Sequence, residues 1–121
     1  MSYFSDISEV ERLAIWNGVT GRVATGKEAA LVFVELEPDA VVPEHQHPNE
    51  QTGILIRGTL VFTVGGERKE LAPGSMWVIP GDTPHDVVAG PDGAWIAELF
   101  APPRPDWAAL ERLPAERVTF R

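Results

Sequence analysis

Two of the three histidines in this chain are spaced two apart: His45 and His47, in Glu44-His45-Gln46-His47. Side chains alternate across a β-strand with a period of two, so on a strand both imidazoles point to one face. In a small barrel that face can be the interior. Neutral imidazole binds most divalent transition metals, so such a pair makes half of a metal site. Alone, it reads more often as two surface histidines. His85 changes the balance. It follows the turn Pro80-Gly81-Asp82-Thr83-Pro84, where a second strand can bring a third imidazole to the same place. The chain has no cysteine, so thiolate ligands, a Cys nucleophile and a disulfide framework are all excluded. Any metal must be held by nitrogen and oxygen.

The elements that would position these residues are short and strand-like. Ala29 to Leu36 is apolar and β-branched. Gln51 to Arg57 runs to Gly58, and Thr59 to Val64 follows at once. Gly65-Gly66 then signals a type I′ hairpin, which needs positive φ at both central residues. Glu67 to Leu71 returns. Ser75 to Ile79, His85 to Ala89 and Ala94 to Phe100 complete the series, separated by Pro-Gly clusters. Strands at this spacing predict an all-β sandwich or barrel. Asp106 is placed to N-cap a helix from Trp107 to Leu113, ended by Pro114. Ile7 to Leu13 could form one further turn.

Length and composition agree. The 121 residues make one domain, 1–121, since domains commonly run to roughly 100–150 residues. Gly and Pro together take 22 positions, about half as many again as the average of about 12% predicts, which suits many short elements and tight turns. The net charge of −8 leaves no basic surface for nucleic acid. No stretch approaches the roughly 18–20 apolar residues of a membrane span, and the first residues lack the pattern of a signal peptide. The expected location is the cytoplasm.

Together the motifs from Asp39 to Ala89 resemble the two conserved blocks of the cupin superfamily. The first block usually reads G-x5-H-x-H-x3-4-E-x6-G, and the second G-x5-P-x-G-x2-H-x3-N. Here Asp39 stands for the first Gly, Asp82 for the Gly of the second block and Ala89 for the Asn. The resemblance implies a double-stranded β-helix, or jelly-roll, barrel with a core at about 29–100 and a homodimeric state. It also implies one divalent metal ion: Mn, Fe, Co, Ni, Cu or Zn. Counting from His47 and from Gly58 places Gln51 in the slot of the usual carboxylate, a known cupin variant. The implied ligands are His45, His47, Gln51 and His85. Glu50 is the alternative, at the expense of a one-residue slip that turns its side chain to the other face. Four neutral ligands would leave a divalent ion its full charge, making it a stronger Lewis acid and a better attractor of anions.

Parity extends the candidate site. On an unbroken strand, Arg57 shares the face of Gln51, or else reaches solvent at the strand end. Arg22 is a similar candidate. Glu98 lies in an apolar run, AWIAELF, where a carboxylate must find a partner or a wet cavity. Arg104 follows two prolines, fixed near the cavity mouth or exposed ahead of the helix. The four tryptophans read as core.

The ending Glu98-Leu99-Phe100-Ala101-Pro102-Pro103-Arg104 is similar to the [DE]-x-F-x-P-x-R ending of the pectin-degradation cupins. Those proteins open 4,5-unsaturated uronates into linear keto sugars. The resemblance implies an isomerase-type enzyme with Glu98 and Arg104 as catalytic residues. Phe100, with Arg22 or Arg57, would bind a small anionic substrate. The family's acid is more often Asp, so Glu98 moves the carboxylate by one methylene. Two other readings stay open: a quercetinase-like metal-dependent dioxygenase, and a cupin that binds a small ligand without turnover.

Overall fold

A computed structural model describes residues 2–120; Met1 and Arg121 lie outside them. Among the described residues nine strands run in chain order: β1 Arg12–Trp16, β2 Val19–Thr25, β3 Ala30–Leu36, β4 Val41–His45, β5 Glu50–Val64, β6 Glu67–Leu71, β7 Met76–Ile79, β8 His85–Ala101 and β9 Arg112–Leu113. All pairings are antiparallel. The main path is β6-β5-β8-β3-β2-β1-β9, with β4 on β8 and β7 on β5.

Two long strands organise the fold. The first half of β5 pairs with β7 and with the last part of β8, and its second half with β6 and the start of β8. The start of β8 carries β4, and its end carries β3. Each long strand therefore has one set of partners along its first half and another along its second, and irregularities at Leu55/Arg57 and Gly58/Leu60 mark the change. The sequence predicts four separate strands here; tertiary pairing joins them into two. Val32, Leu55, Leu60 and Ile79 are the most deeply buried side chains. Each such burial stabilises the fold by about 1.5–3 kcal/mol relative to exposure.

The predicted turns hold. Gly65 and Gly66 both have positive φ, 54° and 86°. Asp39 and Asp82, which replace motif glycines, adopt φ of 61° and 59°. Aspartate is among the few residues with a side chain that tolerate this region.

Both helical expectations need correction. Trp107 to Leu113 is no helix: a 3-10 turn covers Pro105–Ala109, with no side-chain cap on it, and Arg112–Leu113 is a strand on β1. So short a helix has little stability of its own, and the edge of β1 offers backbone partners instead. Near the start, Asp6 caps one turn through Ser8 and Glu9, and the chain then enters β1. Among the described residues no helix is long and apolar enough to cross a membrane.

Candidate metal centre

The three histidines converge. One ligand atom from each of His45, His47 and His85 lies within 4.8 Å of the others. His45 ends β4 and His85 begins β8, directly opposite in register. His47 follows in the β4–β5 turn. That turn is pinned from below, where the Asp82 N–H donates to the His47 carbonyl at 2.7 Å.

Backbone carbonyls orient all three rings. Nδ1 of His45 faces the Pro43 oxygen at 2.8 Å, Nδ1 of His47 the Asn49 oxygen at 3.1 Å, and Nδ1 of His85 the Thr83 oxygen at 2.8 Å. A carbonyl only accepts, so each Nδ1 carries a proton, and in the neutral form of each ring Nε2 presents a lone pair. Burial lowers the pKa of His85 to about 4. Burial first, and then the Arg104 charge, also lowers His47. Neutral imidazoles are the form that binds a cation.

Two details test whether a cation fits. The Nε2 of His85 is buried without a hydrogen-bond partner. The Nε2 of His47 meets the Gln51 Oε1 at 3.1 Å, one lone pair against another. With metal–ligand bonds of about 2.1 Å, two ligands at right angles stand about 3.0 Å apart. A divalent ion between these groups would satisfy both orphaned positions. His45, His47 and His85 could hold it, with Gln51 beside them.

Gln51 is buried and Glu50 exposed. β5 presents Gln51 inward because it pairs with Phe100 on one side and Ile79 on the other, both core residues. The Gln51 amide N–H donates to Glu98 Oε2, which points its oxygen toward the imidazoles. Trp77 Nε1 donates to the same oxygen at 3.0 Å. The indole reaches it by crossing Gly53, the register partner of both Trp77 and Glu98. A Cβ on Gly53 would lie 2.5 Å from the indole ring. Burial raises the Glu98 pKa to about 7, against the opposing pull of the two donors and of Arg104.

Several of these groups line a small pocket that is open to solvent. Its walls are largely apolar, with Val34, Val42, Phe62 and Ile96 among them, and its polar side chains are His45, Gln51, His85, Glu98 and Arg104. Phe100 stands edge-on to His47, with ring centroids 5.7 Å apart. The Arg104 guanidinium lies over Phe100 and Trp107, 5.4 and 5.1 Å from their centroids. It is also paired with Asp106 at 2.8 Å.

Two predicted residues stand elsewhere. Arg57 is exposed and stacks on Trp95 at 4.0 Å, because the irregularity after Leu55 breaks the inward parity. Arg22 is buried on the outer face of β2, since Val19 and not Arg22 has the inward parity. It donates to the carbonyls of Ile7 and Glu116 and pairs with Glu35 at 2.8 Å. Sequence reasoning missed Trp77, Asn49 and Trp16. The alternation of buried Trp77 and Ile79 with exposed Met76 and Val78 shows that Trp77 faces inward, but not that it meets Glu98. Trp16 lines the mouth and packs on His45, ring centroids 5.5 Å apart.

Comparison with known proteins places this geometry. The Cupin domain model matches residues 32–96, more than half of the chain and both histidine blocks. The chain is a cupin. It is 30% identical over 83 residues to dimethylsulfoniopropionate lyase DddW of Ruegeria pomeroyi, a match covering 69% of this chain. This cupin spans about half of that curated relative, 55% of its length. KdgF from Halomonas sp. superposes with a TM-score of 0.79 at 28% identity, covering 88% of this chain and 98% of its own. An RmlC-like cupin from Shewanella frigidimarina gives a TM-score of 0.81 at 24% identity, covering 88% and 96%, a likeness of fold.

Proposed function

We propose that this cupin is a metal-dependent enzyme that opens a small anionic sugar, an unsaturated uronate, into a linear keto sugar. The observation that carries the reading is Glu98, a buried carboxyl with a pKa of about 7, lining a pocket beside three converging imidazoles. The similarity to KdgF and the Glu98–Phe100–Arg104 ending support the same activity.

His45, His47, Gln51 and His85 would hold the divalent ion. When bound, it would supply Lewis acidity to a substrate oxygen. The chain's own residues do the rest. Opening a cyclic hemiacetal moves a proton off the anomeric hydroxyl, breaks the ring C–O bond and leaves an enol. Ketonisation then returns a proton to carbon, so the reaction is an isomerisation and needs no oxidant. A carboxyl poised near neutrality can both accept and deliver that proton. Gln51 and Trp77 hold Glu98 through Oε2, which leaves Oε1 for the substrate. Arg104 would pair with the uronate carboxylate, for which its planar fork is suited. The substrate must displace Asp106 or take the free edge of the fork. Phe100 offers an apolar face at the pocket wall.

The test is to follow unsaturated galacturonate by NMR with metal-loaded protein. Loss of the ring form faster than in buffer is expected, and equal rates refute the reading. The apolar depth of the pocket favours one other reading, metal-dependent oxygenation of a small phenol or diketone. Oxygen uptake by iron- or copper-loaded protein separates the two.

A further inference from the structure

The segment that carries Arg104 has an unusual problem. β8 ends at Ala101, and three of the next four residues are proline: Pro102, Pro103 and Pro105. Proline has no N–H, so this stretch can be held to its neighbours almost only through its carbonyls. Those carbonyls need a donor from elsewhere.

Asn49 supplies it. Its side chain is buried, 4% exposed. Nδ2 donates to the Pro102 oxygen at 2.6 Å and lies 3.4 Å from the Pro103 oxygen. The backbone oxygen of the same residue accepts from His47 Nδ1 at 3.1 Å. One residue therefore touches a histidine of the cluster through its backbone and the proline segment through its side chain. Arg104 is the next residue along that segment, with its guanidinium over Phe100 and Trp107 at the pocket wall.

We propose that Asn49 is a positioning residue that sets the reach between the three-histidine cluster and Arg104. It acts through Arg104 and does not touch the reacting atoms. This rests on the reading above, in which Arg104 holds the substrate anion. The geometry divides the two ends of Asn49: replacing the side chain removes the hold on Pro102 and leaves the carbonyl that orients His47.

Two variants test it, Asn49→Ala and Asn49→Asp. The second keeps the shape but has no N–H to donate and sets a negative charge against two carbonyls. Each is read by hydrogen exchange, metal content and turnover of unsaturated galacturonate. We expect exchange in a peptide covering 102–110 to quicken while the strands keep wild-type protection. Metal content should be unchanged. KM should rise about tenfold, equivalent to about 1.4 kcal/mol, with kcat within about twofold, because a lost buried hydrogen bond here weakens anion binding rather than chemistry. The proposal is overturned if Asn49→Asp behaves as wild type. It is also overturned if exchange quickens throughout the chain, or if metal content falls. Should wild type itself show no turnover, the uronate reading fails. Exchange and metal content then still decide the role of Asn49.

Discussion

Replacing Glu98 by Gln should stabilise the metal-free protein above neutral pH and sharply lower the activity of the metal-loaded one. Glu98 is 7% exposed, and burial raises its pKa from 4.5 to about 7. The unfolded chain releases this proton near 4.5, whereas the folded chain keeps it to about 7. Between these values the folded state binds more protons, so stability falls as pH rises. Below 4.5 the carboxyl is neutral in both states and costs nothing. Above about 7 the full cost applies. At about 1.4 kcal/mol per pH unit, the interval amounts to about 3–4 kcal/mol. The neutral amide of Glu98→Gln escapes this cost, and its carbonyl can still accept from Gln51 and Trp77. Arg104, the charged side chain that acts on Glu98, is unchanged in the variant. Urea unfolding of chelator-treated wild type and Glu98→Gln at about pH 4.5, 6, 7 and 8.5 measures the difference. The two should agree at the lowest pH and diverge to about 3–4 kcal/mol in favour of the variant at the highest. Parallel curves would refute the reasoning. The same variant should lose about a hundredfold or more in kcat, the ordinary weight of a general acid–base.

Adding a divalent transition metal should raise the melting temperature of wild type. At a concentration of about 100 Kd the gain is about 2.7 kcal/mol, and His85→Ala should lose most of it. A wild-type protein with no metal-dependent shift would remove the basis for the centre. Gly53→Ala should displace the Trp77 indole, since the new Cβ would lie 2.5 Å from the ring. A cost of about 1–3 kcal/mol is expected, with altered tryptophan fluorescence; an unchanged spectrum and stability would contradict the packing. The outward residues Leu31, Leu99, Ile54, Met76 and Val78 lie on neighbouring strands β3, β8, β5 and β7 and are 38% to 76% exposed. None is charged, in a chain of net charge −8, so this face is where two copies could approach without repulsion. Light scattering should give a homodimer for wild type and a monomer for Val78→Lys; a monomeric wild type would disprove this.

Much of the site is local and therefore legible in the sequence. The i, i+2 spacing of His45 and His47 is read within four residues, and the two counts that choose Gln51 over Glu50 follow the spacing of the cupin blocks. Gln51 is indeed the buried one of the pair. Gly65-Gly66 declares its turn through the φ values it permits. Asp39 and Asp82 could be taken for turn residues because their backbone conformation excludes most others. Glu98 stood out because a carboxylate in an apolar run needs a partner, although the partners themselves could not be named.

Parity stops being a guide where a strand is irregular or its face is unassigned. One irregularity after Leu55 sends Arg57 outward to Trp95. Arg22 faces away because β2 turns Val19 to the pocket. Neither fact is local, since both depend on which strands lie alongside. The same is true of the cross-strand contacts. Trp77 meets Glu98 over Gly53 only because β5 runs between β7 and β8, and Asn49 meets Pro102 only because the β4–β5 turn comes to rest beside the end of β8. Sequence alone determined which side chains could bind a metal and, along an unbroken strand, which pairs share a face, because alternation follows from backbone geometry. Tertiary structure alone decided which of them share a pocket, because that depends on contacts between residues far apart in the chain, such as Asn49 and Pro102, 53 positions apart.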